Sequence, residues 1–324
     1  MAGEFELIDL IKARCAFART DVRVGIGDDA AVLRVPAGHD LVASTDTLIG
    51  GVHFPVSTEP EDIGWKSLAV NLSDLAAMGA TPAWAMLALT LPSADKDFVE
   101  RFADGFAALA SRHHVALVGG DTTAGPLAIT VSVFGFVTPG RALLRSGARS
   151  GDLVCVTGTI GDAAAGLRFP FEGLFGTAAS REACDALRER LDRPTPRVAA
   201  GIVLRGAASA CIDVSDGLIA DLGHVARSSG VGIELAAAAL PASPALLQAF
   251  DAATRLALQA SGGDDYELAF TLPPSRETAV LRDLAKVGCG ATRIGRVVDG
   301  TGVRLLDANG SEIALPRRGW EHFA

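Results

Sequence analysis

Apolar and polar residues recur along this chain with two different periods, and the switches between them divide it into elements. Phe5, Ile8 and Ile11 stand at helical spacing, which predicts a short amphipathic helix over residues 4–15. Strand-like runs follow at 22–26, 30–35 and 40–46. Thr58 and Glu61 have capping-box spacing and predict a helix to about Met78, on which Asn71, Asp74 and Met78 share a face. A buried strand at 85–91, a helix at 95–113 and a short strand at 115–118 come next, the last closed by Gly119-Gly120-Asp121-Thr122. Residues 127–137 are rich in β-branched side chains and read as a long strand.

From Thr138 to Gly151 the chain is rich in Gly, Pro, Arg and Ser and loses both periods. The domain boundary is expected there, with residues 1–138 in one domain and 148–324 in the other. The second half reads as a strand (152–157), a Gly-rich turn (158–161), a helix (162–169) and a loose segment to about 178. Two helical stretches separated by Pro194 and Pro196 lead to a strand from Cys211 to Val214, then to Ser215-Asp216-Gly217 and a helix reaching about Ser229. Strands at 231–235, 266–272, 293–298 and 302–307 mix with helices at 243–260 and 275–287. The expected fold class is α+β, in two domains.

Composition narrows the chemistry. The 324 residues are 49% hydrophobic and 21% charged, ample for buried cores. A net charge of −9 argues against a nucleic-acid partner, which is held by an excess of Lys and Arg. The N-terminal segment carries Glu4, Glu6 and Asp9 where a signal peptide needs positive charge. No run approaches the roughly 18 apolar residues of a membrane helix. Five scattered cysteines, Cys15, Cys155, Cys184, Cys211 and Cys289, read as buried free thiols of a reducing compartment. A cytoplasmic protein is expected.

Gly25-Ile26-Gly27-Asp28-Asp29-Ala30 matches a dinucleotide fingerprint on paper, but the chain continues as a strand where a helix must open. Gly158 to Asp162 lies between strand and helix and either cradles an anion or is a tight turn capped by Asp162. The distribution of Asp says more. Asp29, Asp46, Asp74, Asp121, Asp213 and Asp216 each adjoin an apolar element and touch Gly, Ser or Thr. One such Asp is ordinarily a cap or turn residue. Six that converged would repel one another unless cations lay between them, and Mg²⁺ is the natural occupant. Ser44 and Thr45 add hydroxyl or carbonyl oxygens of the same hard type. His53 follows Gly50-Gly51 close to Asp46 and is set apart from the other five histidines, which read as surface residues. Zinc is disfavoured because no His or Cys pair has ligand spacing. Arg145 either clamps a phosphate or is a solvated linker residue, and Trp320 either anchors the C-terminal tail or stacks on a flat ring.

Seven blocks occur in order: Gly27-Asp28-Asp29-Ala30, Ser44-Thr45-Asp46-Thr47, Asn71 to Gly79, Gly119 to Thr122, Arg145 to Ala148, Asp213 to Leu218 and Gly262-Gly263-Asp264-Asp265-Tyr266-Glu267. Together they resemble the thiamine-monophosphate kinase family, of the superfamily that includes aminoimidazole ribonucleotide synthetase. The resemblance implies ATP-dependent phosphorylation of thiamine monophosphate to thiamine diphosphate. It implies several Mg²⁺ ions at Asp29, Ser44, Thr45, Asp46, Asp74, Asp121, Asp213 and Asp216, with Asp46, Asp74, Asp121 and Asp216 central to catalysis. ATP contacts carry over to Gly120, Asp121, Arg145 and Ser215, and substrate contacts to His53, Asp264 and Trp320. It further implies a homodimer, the N-terminal domains pairing through a β-barrel. Asp264 stands where that family usually has Glu, one methylene longer.

The acceptor implied is itself a phosphate, whose second pKa of about 6 leaves it ionised at neutral pH. A general base is then unnecessary, and direct in-line transfer is expected. Two alternatives stand beside this reading. One is a different ATP-dependent member of the superfamily, although a selenide-activating enzyme would need a reactive Cys near the N-terminus and Cys15 sits in an amphipathic helix. The other is a catalytically silent metal-binding homologue, which has no reason to keep so costly a set of charges.

Overall fold

The computed structural model describes residues 3–168 and 179–320 and divides into two units, Met1–Leu75 with Ala80–Gly140 and Ala76–Gly79 with Arg141–Ala324. The first unit opens with α1 (Glu4–Arg14) and a short antiparallel pair, β1 (Val22–Val24) and β2 (Val32–Leu33). It continues through β3 (Asp40–Ile49), α2 (Pro60–Ala77), β4 (Thr81–Leu91), α3 (Lys96–Arg112), β5 (Ala116–Ala124) and β6 (Ala128–Val137). Four strands form one sheet in the order β3-β6-β4-β5, antiparallel except between β4 and β5.

Alternation decides how that sheet is used. Ile129, Val131 and Val133 of β6 are buried, while Thr130 and Ser132 between them turn to the opposite, more open face. Helices α2 and α3 cross where both lack a side chain. A Cβ on Gly64 would fall 2.0 Å from the Phe102 carbonyl oxygen, and one on Gly105 would fall 1.8 Å from that of Glu61. This crossing fixes the height of α2, and with it Asn71 and Asp74.

Three local expectations change. The strand expected at 40–46 continues to Ile49, and the one expected at 115–118 continues to Ala124. Their polar residues have the composition of turns, but the ladder with a neighbouring strand overrides it: β3 pairs with β6 without interruption from Asp40–Val137 to Ile49–Ala128. The capping box at Thr58 does not form, since Thr58 Oγ1 is buried without a hydrogen-bond partner. Helix α2 instead begins at Pro60, whose missing N–H and fixed φ suit the first helical position.

The second unit contains β7 (Leu153–Thr157), α4 (Asp162–Gly166), α5 (Arg181–Asp192), α6 (Val198–Leu204), β8 (Ala210–Asp213), α7 (Leu218–Ser229) and β9 (Gly232–Ala236). Then come α8 (Pro244–Ala249), α9 (Ala252–Ser261), β10 (Leu268–Leu272), α10 (Glu277–Lys286), β11 (Ala291–Val298) and β12 (Gly302–Leu306). Its six-stranded sheet runs β12-β9-β11-β7-β10-β8, with only the outermost β12–β9 pair parallel. Leu218, Leu222 and Val225 of α7 pack on Val154, Val156, Ile212 and Ile233. Each fully buried Leu or Val there contributes about 1.5–3 kcal/mol. The helix expected over 243–260 is broken in two, because Phe250 is extended and the Asp251 side chain caps α9 by accepting the Thr254 N–H. The loose segment expected at about 170–178, and His322, lie outside the described residues. No helix among the described residues is long and apolar enough to cross a membrane.

Candidate active site

In the first unit the polar residues of β3 sort by parity. Ser44 and Asp46 share the half-buried face, and Thr45 points to the other. Ser44 Oγ donates to Asp74 Oδ2 of α2 at 2.5 Å. One turn earlier on α2, Asn71 Oδ1 accepts the Asp46 backbone N–H at 3.0 Å, and its amide nitrogen donates to the Ser67 carbonyl at 2.9 Å. Ser44, Asp46, Asn71 and Asp74 are therefore brought together by one strand and one helix. The Thr45 hydroxyl is not with them: it donates to the Val131 carbonyl at 3.2 Å and accepts from Ser132 Oγ at 2.9 Å. Only a main-chain oxygen of Thr45 remains to join the set.

Asp121 lies within β5 beside Gly120, at an exposed position. Gly120 has φ of +152°, and a Cβ there would fall 1.7 Å from the Leu87 carbonyl oxygen, so that position admits glycine alone. A cavity of about 60 Å³, lined by Ile8, Ile11, Ile26, Leu87 and Leu117, opens beside them. Asp29 is exposed, in the loop from β1 to β2, and its N–H donates to Asp28 Oδ1 at 2.9 Å. That loop joins two antiparallel strands, which removes the dinucleotide reading.

His53 folds back on the end of β3. The Ile49 N–H donates to His53 Nδ1 at 2.9 Å, and the His53 N–H donates to the Ile49 carbonyl at 3.0 Å. A nitrogen that accepts carries no proton, so the neutral ring has its N–H on Nε2. Asp46 is three residues of strand from Ile49, roughly 10 Å. The sequence places Asp46 at a strand end; it lies inside the strand, and His53 occupies the end.

In the second unit the loop from Val214 to Gly217 is the meeting point. Asp213 is buried at the end of β8, opposite Leu268 of β10. Asp221, in the first turn of α7, accepts the N–H groups of Ser215, Asp216 and Gly217 on one oxygen, at 3.0, 3.1 and 3.1 Å. Burial, with Asp213 and Asp216 nearby, pushes Asp221 up to about 8. Sequence reasoning passed over Asp221; its signal was an acidic residue in the first turn of a helix that follows a Gly. The Asp264 N–H donates to the Ser215 carbonyl at 2.8 Å, and the Trp320 N–H to the Asp216 carbonyl at 2.9 Å. Trp320 is held through its backbone N–H, and the residue stays 55% exposed.

Arg145 is exposed, and its carbonyl accepts from Ser229 Oγ at 3.4 Å. His224 is held below its ordinary value by burial first, then by Arg145 and Arg227, with Asp216 opposing them. Arg145 and Asp216 thus act on the same imidazole. The turn at 158–161 does hold a carboxyl, but an internal one: Asp265 accepts from the Gly161 N–H at 2.6 Å and the Ala163 N–H at 3.4 Å. Asp162 is not the cap; Gly161 holds that position, and Asp162 accepts from Thr159 and Ser243 at 2.5 and 2.6 Å. A cavity of about 550 Å³ opens beside Asp162 and Arg190, and none of the expected ligand residues lines it.

Among the described residues no three His, Cys, Asp or Glu side chains come close enough to hold a metal ion by themselves. A cation at Ser44, Asp46 and Asp74 would have to complete its shell with main-chain, water and phosphate oxygens, which is the habit of Mg²⁺. The donor set fits that ion.

Models for the N-terminal and C-terminal domains of AIR synthase related proteins match residues 27–137 and 149–308. Thiamine-monophosphate kinase of Salmonella typhimurium is 46% identical, over 99% of this chain and 98% of its own length. A crystal structure of thiamine-monophosphate kinase from Stenotrophomonas maltophilia superposes with a TM-score of 0.88 at 50% identity, covering 96% of this chain and 98% of its own. AaThiL complexed with AMPPCP and TMP superposes with a TM-score of 0.77 at 36% identity, covering 99% and 97%.

Proposed function

This chain belongs to the AIR synthase related family, among its thiamine-monophosphate kinases, and from that membership we propose that it transfers the γ-phosphoryl group of ATP to thiamine monophosphate, releasing ADP and thiamine diphosphate. The observation that carries the reading is the hard-oxygen set of Ser44, Asp46 and Asp74, in a chain that matches these kinases from end to end. In the first unit, Asp29, Ser44, a main-chain oxygen of Thr45, Asp46, Asp74 and Asp121 hold Mg²⁺, and Gly120 and Asp121 meet ATP. In the second, Asp213 and Asp216 hold Mg²⁺, and Arg145 and Ser215 meet ATP. When bound, Mg²⁺ supplies positive charge against the phosphoryl oxygens. His53 offers its Nε2 proton to the anionic acceptor, Asp264 meets the thiamine cation, and Trp320 presents a flat apolar ring.

The chemistry asks for little else from side chains. The acceptor phosphate is already ionised, with a second pKa of about 6, so transfer is direct and in line. The cost of bringing two anions together is met by fixed dipoles and cations rather than by a proton acceptor. Cys15 is buried, and burial pushes its thiol up to about 12, which removes the reactive thiolate a selenide-activating relative would need. All five cysteines are unpaired and buried, in keeping with a cytoplasmic protein. A homodimer is supported by the open face of the first unit's sheet, where Leu41, Ile49 and Met86 are 47%, 42% and 40% exposed. Residues 1–138 carry pairing with part of the metal and ATP contacts, and residues 148–324 carry the rest apart from Arg145. ADP release with Mg-ATP and thiamine monophosphate tests the assignment. Turnover with another acceptor and none with thiamine monophosphate would overturn it, and a phosphorylated enzyme in single turnover would overturn direct transfer.

A further inference from the structure

Three described residues other than glycine have positive φ, and two of them are Asp264 (+68°) and Tyr266 (+51°), in the segment between α9 and β10. Asp accepts the left-handed region readily because its side chain is short and polar; an aromatic residue does not. Such a conformation persists only where its surroundings over-determine it. Here the alternate side chains, Asp265 and Glu267, turn inward and are pinned. Asp265 accepts the N–H groups that open α4. Glu267, fully buried, accepts from Thr157 at 2.6 Å, from Arg190 at 2.9 Å and from Arg197 at 2.7 and 2.5 Å. The backbone on either side of Asp265 is tied to the 214–215 loop by the Asp264 and Tyr266 N–H groups, each at 2.8 Å. With both anchors fixed, the Tyr266 ring is buried and its hydroxyl donates back to Asp264 Oδ1 at 3.0 Å.

We infer that Tyr266 is a positioning residue for the ligand-facing carboxylate: its phenol fixes the rotation of Asp264 and so sets the direction in which that charge meets the thiamine cation. The inference rests on the substrate reading above. It also gives the Asp at this position a physical partner. A Glu would carry its carboxylate about 1.5 Å further from the backbone, one C–C bond, and out of register with a phenol whose ring is buried. The shorter acid and the Tyr266 hydrogen bond are therefore coupled, and substitutions at the two positions should not be additive.

Tyr266 is the only tyrosine of the chain, so growth on 3-fluorotyrosine labels this position alone. The single ¹⁹F resonance should shift saturably with thiamine monophosphate and stay in place with a non-hydrolysable ATP analogue alone. In steady state, Tyr266→Phe should raise KM for thiamine monophosphate about three- to ten-fold, the scale of one hydrogen bond to a charged group acting indirectly. KM for ATP and kcat should remain within about two-fold. Asp264→Glu should cost less in the Tyr266→Phe background than in the parent. A resonance unmoved by saturating thiamine monophosphate, or a variant whose two KM values and kcat change together, overturns the inference while the parent's turnover leaves the substrate reading standing. A parent without turnover on thiamine monophosphate overturns both.

Discussion

Asp46 shows what a single residue can and cannot announce. Its side chain shares a strand face with Ser44, and its N–H is held by Asn71, so the backbone stays in place whatever the side chain carries. Outer-shell groups around a metal already cost about 10–100-fold when removed. Asp46→Asn, at a proposed direct ligand, should therefore lower kcat/KM by more than about 100-fold. An amide for a carboxylate at a half-buried site should move the melting temperature in EDTA by no more than about 2 °C. Activity within a few-fold of the parent would place the metal elsewhere. The residue types of this site were legible in the sequence, because carboxylates beside Ser, Thr and Gly have few other uses in number. Their directions were not. Thr45 differs from Ser44 and Asp46 only by strand parity, which becomes readable once the strand is known to reach Ile49. Asp221 was hidden for another reason: it acts from the first turn of a helix, holding three N–H groups of the loop that carries Ser215 and Asp216.

Elements carry the site at fixed heights, and two substitutions test this. Gly64→Ala puts a methyl where only 2.0 Å separates it from the Phe102 carbonyl oxygen. Overpacking against backbone costs about 1–3 kcal/mol or more, so unfolding should occur at clearly lower denaturant. Activity should fall further than stability, because α2 must move and it carries Asn71 and Asp74. A variant as stable as the parent would mean that the helices separate freely. The second test concerns α4 and Asp265. Burial pushes this carboxyl up to about 8, against the pull of the Gly161 N–H and Arg190, with Asp162 raising it further. A carboxyl raised on folding contributes stability that is complete below its unfolded value of about 4 and is lost as pH climbs through about 8. Asp265→Asn removes the titration. The melting temperature of the parent minus that of the variant should therefore decrease from pH 6 to pH 9, and a difference independent of pH would show that the carboxyl is ionised throughout. The sequence left the 158–162 turn open between an anion cradle and a turn capped by Asp162, and did not reveal that it holds the Asp265 carboxyl, because that partner lies about a hundred residues away. Helix boundaries failed for a related reason. Phe250 turns extended after one helix and Asp251 caps the next, a competition that periodicity alone does not record.

At the scale of the molecule, the open face of the first unit's sheet remains to be explained. Alternation along β3 leaves Leu41, Ala43, Thr45, Thr47 and Ile49 on the side away from the helices, and Met86 and Ala88 of β4 are exposed as well. A run of Leu, Ile, Met and Ala among threonines is an uneconomical surface for a monomer, since each large apolar side chain there forgoes about 1.5–3 kcal/mol of burial. Its composition suits pairing with a second copy, sheet face against sheet face, which would also place the hydroxyls of Thr45 and Thr47 in an interface rather than in the proposed metal site. Sedimentation equilibrium of the parent should then give twice the chain mass at micromolar concentration. Leu41→Glu combined with Met86→Glu puts two carboxylates from each copy into the interface and should shift the mass to that of one chain. The substituted side chains are 47% and 40% exposed in the single chain, so the fold and its far-ultraviolet spectrum should be unchanged. A parent that sediments as one chain, or a doubly charged variant that still pairs, would assign the apolar face to another partner. If pairing is confirmed and the monomeric variant keeps its kcat, each copy holds a complete site. If kcat falls with dissociation, the interface holds β3 in the position that Ser44 and Asp46 require.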